Sequence, residues 1–362
     1  MVRKCYNKTM IAIEKINALS KESLGLITVV AGEDIGQYSH MKDLLLKKIA
    51  FDQADLTYSY FDMSEALYQT AEMDLVSMPF FADQKVVIFD HLLDITTSKK
   101  SYLKEKELKA FEDYLENPVE TTRLVIFAPG KLDGKRRLVK ILKRDALIFE
   151  ASPLKAAEKR TYFQKYSHQL DLSFASGAFD QLLLKSNDDF SQIMKNMTFL
   201  KAYKKSGPIT VEDIAQAIPK SLQDNVFDLT RLVLQGKIDA ARELVHDLRL
   251  SGEDDIKLIA IMLGQFRLFL QLATLVRSGK TEQQLVTSLS DLLGRRVNPY
   301  QVKYALKDSR ALSLSYLQLA VKTLIETDYH IKTGVYTKDY LFDLALLKLV
   351  AHSQGNTDLS DL

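Results

Sequence analysis

Cysteine is nearly absent from this sequence: one residue, Cys5, in 362. That scarcity excludes an intramolecular disulfide framework and any multi-cysteine zinc site. With no secretory leader visible, the composition fits a reducing compartment, so a cytoplasmic location with no membrane partner is expected. Net charge is just as scarce, because 49 Lys and Arg stand against 47 Asp and Glu and leave +2. No global pull towards nucleic acid follows, and any cationic surface has to be local. Clean apolar runs are also missing. The longest, Ile256 to Val276, carries Lys257, Gln265, Arg267 and Gln271. Those groups are expensive in lipid, so the segment reads as a buried helix of a helical bundle. No repeat, low-complexity tract or long linker breaks the chain. The six histidines form no local Ser/His/Asp or His-x-x-x-His arrangement, so no catalytic residue is nominated.

Length and periodicity supply the organisation. At 362 residues the chain exceeds one typical core, and two or three domains are expected. Five short β-rich runs occupy the first part: Leu26–Val30, Tyr58–Phe61, Val86–Phe89, Arg123–Ala128 and Ala146–Phe149. Helical spacing follows the first run (Met41, Leu44, Leu45, Ile49) and recurs near 64–75, 105–116 and 135–144. Strands separated by helices imply a parallel sheet covered on both faces. Beyond Ser152-Pro153 the pattern is helical almost throughout, with helices expected at 225–235, 237–250, 254–278, 281–293, 298–307 and 313–331. Gly236, Gly252 and Gly279 punctuate them, and Thr210 with Asp213 has the spacing of a capping box. Three domains are expected: α/β over 1–152, small helical over 153–222 and larger helical over 223–362. Residues 1–9 are polar and patternless and read as disordered or additional, with Met10 a candidate true start.

The turn after the first strand is where a nucleotide-binding α/β domain places its phosphate loop. It reads Gly32-Glu33-Asp34-Ile35-Gly36. A working loop needs Gly-x-x-x-x-Gly-Lys-Ser/Thr, with backbone N–H groups and lysine on the phosphates. The glycine spacing is wrong, lysine is missing, and two carboxylates would repel phosphate. Asp90 ends a strand as a magnesium-positioning acid does in ATPases, but His91 follows where a catalytic glutamate would stand. Neither a cofactor nor a metal site is expected.

Met78-Pro79-Phe80-Phe81 is the most informative segment. The proline stops the preceding helix and the following run reads as a buried strand. Two rings on such a break either cap the protein's own core or form a wedge for a partner, since exposed phenylalanines are costly unless covered. Lys131–Arg144 holds seven basic residues, Lys135, Arg136 and Arg137 among them, around the apolar stripe Leu138, Ile141, Leu142. That cationic helix face is either solvated or in contact with phosphates. Tyr329 near Lys332 ends a long helix, where it either packs or stacks on an unpaired base.

Several segments together resemble the delta subunit of the bacterial DNA polymerase III clamp loader: Val30–Asp34, Met78–Lys85, Val125–Asp133, Asn225–Leu229, Gly264–Arg267 and Asp328–Gly334. None decides alone, but their order and spacing are specific, and they span nearly the whole chain from about Met10. The resemblance implies an AAA+-like, RecA-type domain without ATPase activity, a small helical lid and a C-terminal helical collar. It implies an accessory subunit of a DNA-directed DNA polymerase (nucleotidyltransferase) holoenzyme, acting in DNA replication without catalysis of its own. It implies that Phe80 and Phe81, with Met78 and Pro79, insert into the sliding clamp (beta subunit) and open its ring. It further implies motor and delta-prime neighbours in a heteropentamer, and Tyr329 near primer–template DNA. The paralogous ATPase and delta-prime subunits usually carry a zinc-binding cysteine module and a Ser-Arg-Cys motif. With one cysteine, this chain is closer to delta than to those alternatives.

Overall fold

The computed structural model describes residues 10–20, 23–80, 82–294 and 297–353. Two compact units emerge: one runs to Tyr162 and takes in Asp189–Ser191, and the other comprises Phe163–Asp188 with the chain from Gln192 onward.

The first unit is built on five parallel strands, β1 (Ile27–Gly32), β2 (Tyr58–Asp62), β3 (Lys85–Asp90), β4 (Thr122–Pro129) and β5 (Leu147–Ala151), in the order β2-β3-β4-β1-β5. β1 and β3 are buried along their whole length, as strands covered on both faces must be. Helices α1 (Ala12–Asn17), α2 (Ile35–Lys48), α3 (Tyr68–Val76), α4 (Glu105–Glu116) and α5 (Arg137–Asp145) supply the cover. Ile27, Val29, Val87, Phe89, Leu124 and Ile126 project to one face, where they meet Ala71 and Leu75 of α3, Phe111 of α4 and Leu142 of α5. α2 packs on β1, β4 and β5.

The strands fall where the apolar runs predict them. The helix expected from residue 64 starts later, at Tyr68, because Asp62 captures the turn: its carboxylate accepts from Ser64 N at 3.0 Å and its carbonyl from Ala66 N at 2.7 Å. The short α1 carries too few residues for a periodic signal, and it was not among the expected helices.

The second unit is helical. The chain enters it along α6 (Ala156–Gln169), then forms α7 (Ala178–Lys185), α8 (Phe190–Tyr203) and α9 (Val211–Ala217). Thr210 caps α9 reciprocally with Asp213, at 3.2 and 2.8 Å. The larger bundle follows: α10 (Leu222–Leu234), α11 (Ile238–Leu250), α12 (Asp255–Arg277), α13 (Glu282–Leu293), α14 (Pro299–Ser309), α15 (Leu314–Lys332) and α16 (Lys338–Ser353). α12 is long and apolar enough to cross a membrane by length and composition. Its Leu258, Met262, Phe266 and Phe269 are instead buried at the centre of the bundle core, beside Leu317 and Leu324 of α15. Glycines 236, 252 and 279 take positive φ at helix ends. α16 lies beyond the last helix expected from the sequence, and buried Leu341, Phe342, Ala345, Leu346 and Leu349 place it against the core.

Candidate functional site

The Met78–Phe80 segment leaves the fold at the end of α3. Tyr68, Ala71 and Leu75 form the buried stripe of that helix. Ser77 closes it with N–H to Met73 O at 3.1 Å, then turns extended, and Pro79 bars any return to helix. Phe80 is 92% exposed and Met78 75%, whereas Phe89, Phe111, Phe127 and Phe149 of the same unit are fully buried. An aromatic side chain left out of a core that takes in so many others is not packing its own interior. Phe81 lies outside the described residues. Met73 and Val76 on the neighbouring flank of α3 are exposed too, so the apolar surface extends beyond the quoted motif. Sequence reasoning missed these two; their i, i+3 spacing beside the core stripe was the available signal.

Lys85, at the start of β3, closes the base of this loop. It is only 6% exposed. Its ammonium donates to the Asp74 carbonyl, to Asp74 Oδ1 at 3.0 Å and to Ser77 Oγ at 2.7 Å. Thr122 Oγ1 donates to the Leu75 carbonyl at 3.2 Å, which serves another free carbonyl in the last turn of α3.

At the opposite, carboxyl edge of the sheet lies the ground where open α/β sheets bind ligands. Asp34 is the N-cap of α2: its carboxylate accepts from Gln37 N at 3.0 Å and Gln37 Nε2 at 3.1 Å. The same Nε2 donates to Ser152 O at 3.0 Å, and Asp34 N donates to Ala151 O at 3.1 Å. A Cβ at Gly32 would stand 2.3 Å from Ala151 O, and one at Gly36 would stand 2.5 Å from Ser191 Oγ. A helix N-terminus that could receive phosphate is therefore filled by the protein's own carboxylate and walled by close backbone. These residues do not fit a nucleotide.

Asp90, at the end of β3, is equally committed. Its carboxylate, 1% exposed, takes Lys42 Nζ and the Tyr60 hydroxyl on Oδ2, and His91 N at 2.9 Å on Oδ1. Burial, with Asp90 close by, pushes the Tyr38 and Tyr60 phenols well above their ordinary range. Burial would raise the Asp62 carboxyl, but hydrogen bonds from Ser64 and the nearby His91 outweigh it and hold it low. A lysine ammonium and a tyrosine proton share Oδ2 and a backbone N–H takes Oδ1, so both oxygens a magnesium ion would need are engaged and the donor set does not fit a metal.

The nucleic-acid candidates are scattered in role. Arg136 donates to the Asp94 carbonyl and to Ser98 O at 3.1 Å, which braces that loop. Arg137 pairs with Glu112 at 3.3 Å, and Lys135 is exposed. Tyr329 is 62% exposed near the end of α15, while Lys332 reaches back to Asp328 at 2.7 Å. Tyr336 and Tyr340, which sequence reasoning passed over, are exposed with ring centroids 5.6 Å apart.

A parallel α/β unit of AAA+-like, RecA type with its phosphate site closed, joined to an all-α unit, defines the class. Family comparison resolves it further. The model for DNA polymerase III, delta subunit, matches residues 29–152, and that for the DNA polymerase III delta subunit, C-terminal domain, matches 223–349. The chain is 30% identical over 307 residues to DNA polymerase III subunit delta of Bacillus subtilis, spanning 83% of this chain and 86% of that one. It aligns with the solved Bacillus subtilis DNA clamp loader delta protein at TM-score 0.58 and 26% identity, over 94% of this chain and 98% of that one. A partial similarity, 26% over 122 residues, reaches the replication factor C small subunit of Methanococcus maripaludis, over 33% of this chain and 38% of that one. The chain belongs to the DNA polymerase III delta subunit family, and its setting is DNA replication as a clamp-loader protein.

Proposed function

We propose that this chain docks on the ring-shaped sliding clamp through Met78, Pro79, Phe80 and Phe81 and holds one ring interface open, so that the clamp can be loaded on primed DNA. The observation that carries this is the exposure of Phe80 on a loop anchored at its base. Covering two phenylalanines removes roughly 300–500 Å² from water, about 8–12 kcal/mol gross, before association costs of similar size. Docking opens the ring only if the chain binds the open form better, because a ligand shifts an equilibrium by its differential affinity alone.

The closed phosphate site supports a role without ATP hydrolysis, with motor neighbours supplying nucleotide control in a heteropentamer that also holds a delta-prime subunit. In this proposal residues 153–222 act as a lid and 223–362 as the collar, in the cytoplasm at the replisome. Tyr329, Lys332, Lys135 and Arg137 are the DNA-contact candidates, and Arg136 a weaker one because its guanidinium is held between the Asp94 and Ser98 backbone carbonyls rather than on an exposed side chain.

The test is Phe80→Ala/Phe81→Ala in the full chain against the cognate clamp. Clamp binding should collapse while the melting temperature stays near wild type. A large loss of stability with clamp binding retained would instead assign the rings to the protein's own core.

A further inference from the structure

We infer that Lys85 is the positioning residue of the docking loop: by gripping the last turn of α3 it ties the two ends of residues 77–84 together and fixes the course along which Phe80 projects. This rests on the docking function proposed above for Phe80.

β3 is buried from end to end, and a lysine at its first position would bring an ammonium group towards the interior. An ammonium has three donors, and each one has an acceptor here: the Asp74 carbonyl, the Asp74 carboxylate and the Ser77 hydroxyl. All three acceptors belong to the residues that lead into the loop. Ser77 and Lys85, eight positions apart, are thus joined directly by a 2.7 Å hydrogen bond.

Between them the loop has little else to hold it. Among the described residues, 78–80 and 82–84 make no hydrogen bond to the rest of the chain. The aromatic tip therefore takes its direction from its two ends. On one side stands α3, fixed by its buried stripe and by Thr122 on the Leu75 carbonyl. On the other stands β3, fixed by its ladder to β4, with Lys85 N also on Thr121 O at 3.0 Å. The lysine side chain bridges the two, and its positive charge sits at the helix end that favours cations. A wedge whose base is pinned loses less conformational freedom when it docks, and that freedom is a direct cost of association.

The experiment compares Lys85→Met, Lys85→Arg and wild type in the full chain, reading affinity for the cognate sliding clamp. Lys85→Met keeps length and apolar bulk but loses every donor, and is expected to weaken clamp binding about tenfold or more with both phenylalanines intact. Lys85→Arg, which can still donate to Asp74, is expected to restore most of the affinity. A second readout separates positioning from general stability. The chain has no tryptophan, so Phe80→Trp places a single indole at the loop tip. Its time-resolved anisotropy should show faster local motion when Lys85→Met is added, while far-ultraviolet circular dichroism stays unchanged. Clamp affinity within about twofold of wild type for Lys85→Met, or an unchanged anisotropy decay, overturns the inference. If Lys85→Met does not fold, Asp74→Ala/Ser77→Ala removes two acceptors and leaves β3 untouched; unchanged clamp affinity there overturns it equally. Phe80→Ala serves as the control: unaltered clamp binding in that variant sinks the docking function itself, whereas loss there with Lys85→Met neutral sinks only the role of Lys85.

Discussion

Lys42 of α2 donates to the buried carboxylate of Asp90, so an internal cation stands on the strand-end acid that would otherwise suit a metal. Asp34 does the complementary thing one loop away, placing an internal anion where a phosphate would sit. The two substitutions close the carboxyl edge of the sheet with the protein's own charges. The amino edge is where the fold turns outward, through Lys85 and the loop that carries Phe80. A single strand connects them: β3 has Lys85 at one end and Asp90 at the other, about 17 Å apart at 3.3 Å per residue.

The Lys42–Asp90 pair makes an asymmetric prediction. Asp90 is sealed from water while Lys42 keeps a fifth of its side-chain surface. Lys42→Met leaves a buried carboxylate with Tyr60, a backbone N–H and the His91 ring at 3.5 Å but no lysine, and should cost about 3 kcal/mol. Asp90→Asn leaves a lysine that can still reach solvent, and should cost about 1–2 kcal/mol. Urea unfolding of the full chain measures both; equal costs would mean that Asp90 is better hydrated than its burial suggests.

Asp34 yields a second prediction. Removing an N-cap carboxylate costs about 1 kcal/mol, so Asp34→Ala should lower stability by that order, and Asp34→Asn much less. Neither variant should gain nucleotide affinity, because Asp34 is only half of the obstacle: no lysine of the phosphate-loop pattern stands in the turn, and Gly36 abuts Ser191. Equilibrium binding of labelled ATP to wild type and to Asp34→Ala should show no micromolar site. Micromolar affinity in either would return the chain to the ATPase alternative.

Legibility in the sequence followed the strength of the local signal. β3 and β4 were visible because they are continuous β-branched and aromatic runs buried on both faces. The long helices of the second unit were visible because glycines 236, 252 and 279 punctuate them, and Thr210 with Asp213 marked the start of the shorter α9. The order β2-β3-β4-β1-β5 was not legible, since nothing local states which strand pairs with which. At the candidate site the Pro-Phe-Phe break announced itself, but whether its rings faced in or out depended on tertiary packing. Lys85 and Lys42 were hidden for a related reason. Each is an ordinary lysine in the sequence and gains a role only when α3, or β3, brings an acceptor to it.

His40 predicts a pH dependence. Burial, partly opposed by Asp43, holds its imidazole below the ordinary range. Its Nε2 lies 3.2 Å from the Tyr162 hydroxyl, and the Phe190 ring packs 6.1 Å away. With the folded pKa below the unfolded value of about 6.5, the unfolded chain binds the proton more readily. The contribution of His40 is therefore complete above about pH 6.5 and is lost as pH falls through the folded value. The urea midpoint should drop between about pH 7 and pH 5, and His40→Gln should flatten that slope. An identical slope in the variant would assign the acid sensitivity to other groups.

In the helical unit, Arg249 makes the most exacting prediction. Its guanidinium grips Asp255 in a fork, with Nε to Oδ1 at 2.8 Å and a second nitrogen to Oδ2 at 3.0 Å, and reaches Asp343 of α16 at 3.3 Å. Burial would lower the Arg249 pKa, but the two carboxylates outweigh it and leave it raised. Asp255 opens α12 and is almost fully buried, so its charge depends on this partner and on the positive helix end. Arg249→Met should cost about 3 kcal/mol or more, because it strands that carboxylate. Arg249→Lys supplies charge without the planar fork and should recover only part of the loss. Asp255→Asn should be milder than Arg249→Met, since the arginine retains Asp343 and some solvent. Calorimetry of the four proteins orders these costs, and a lysine variant as stable as wild type would show that charge alone, not bidentate geometry, joins α11 to α12 and α16.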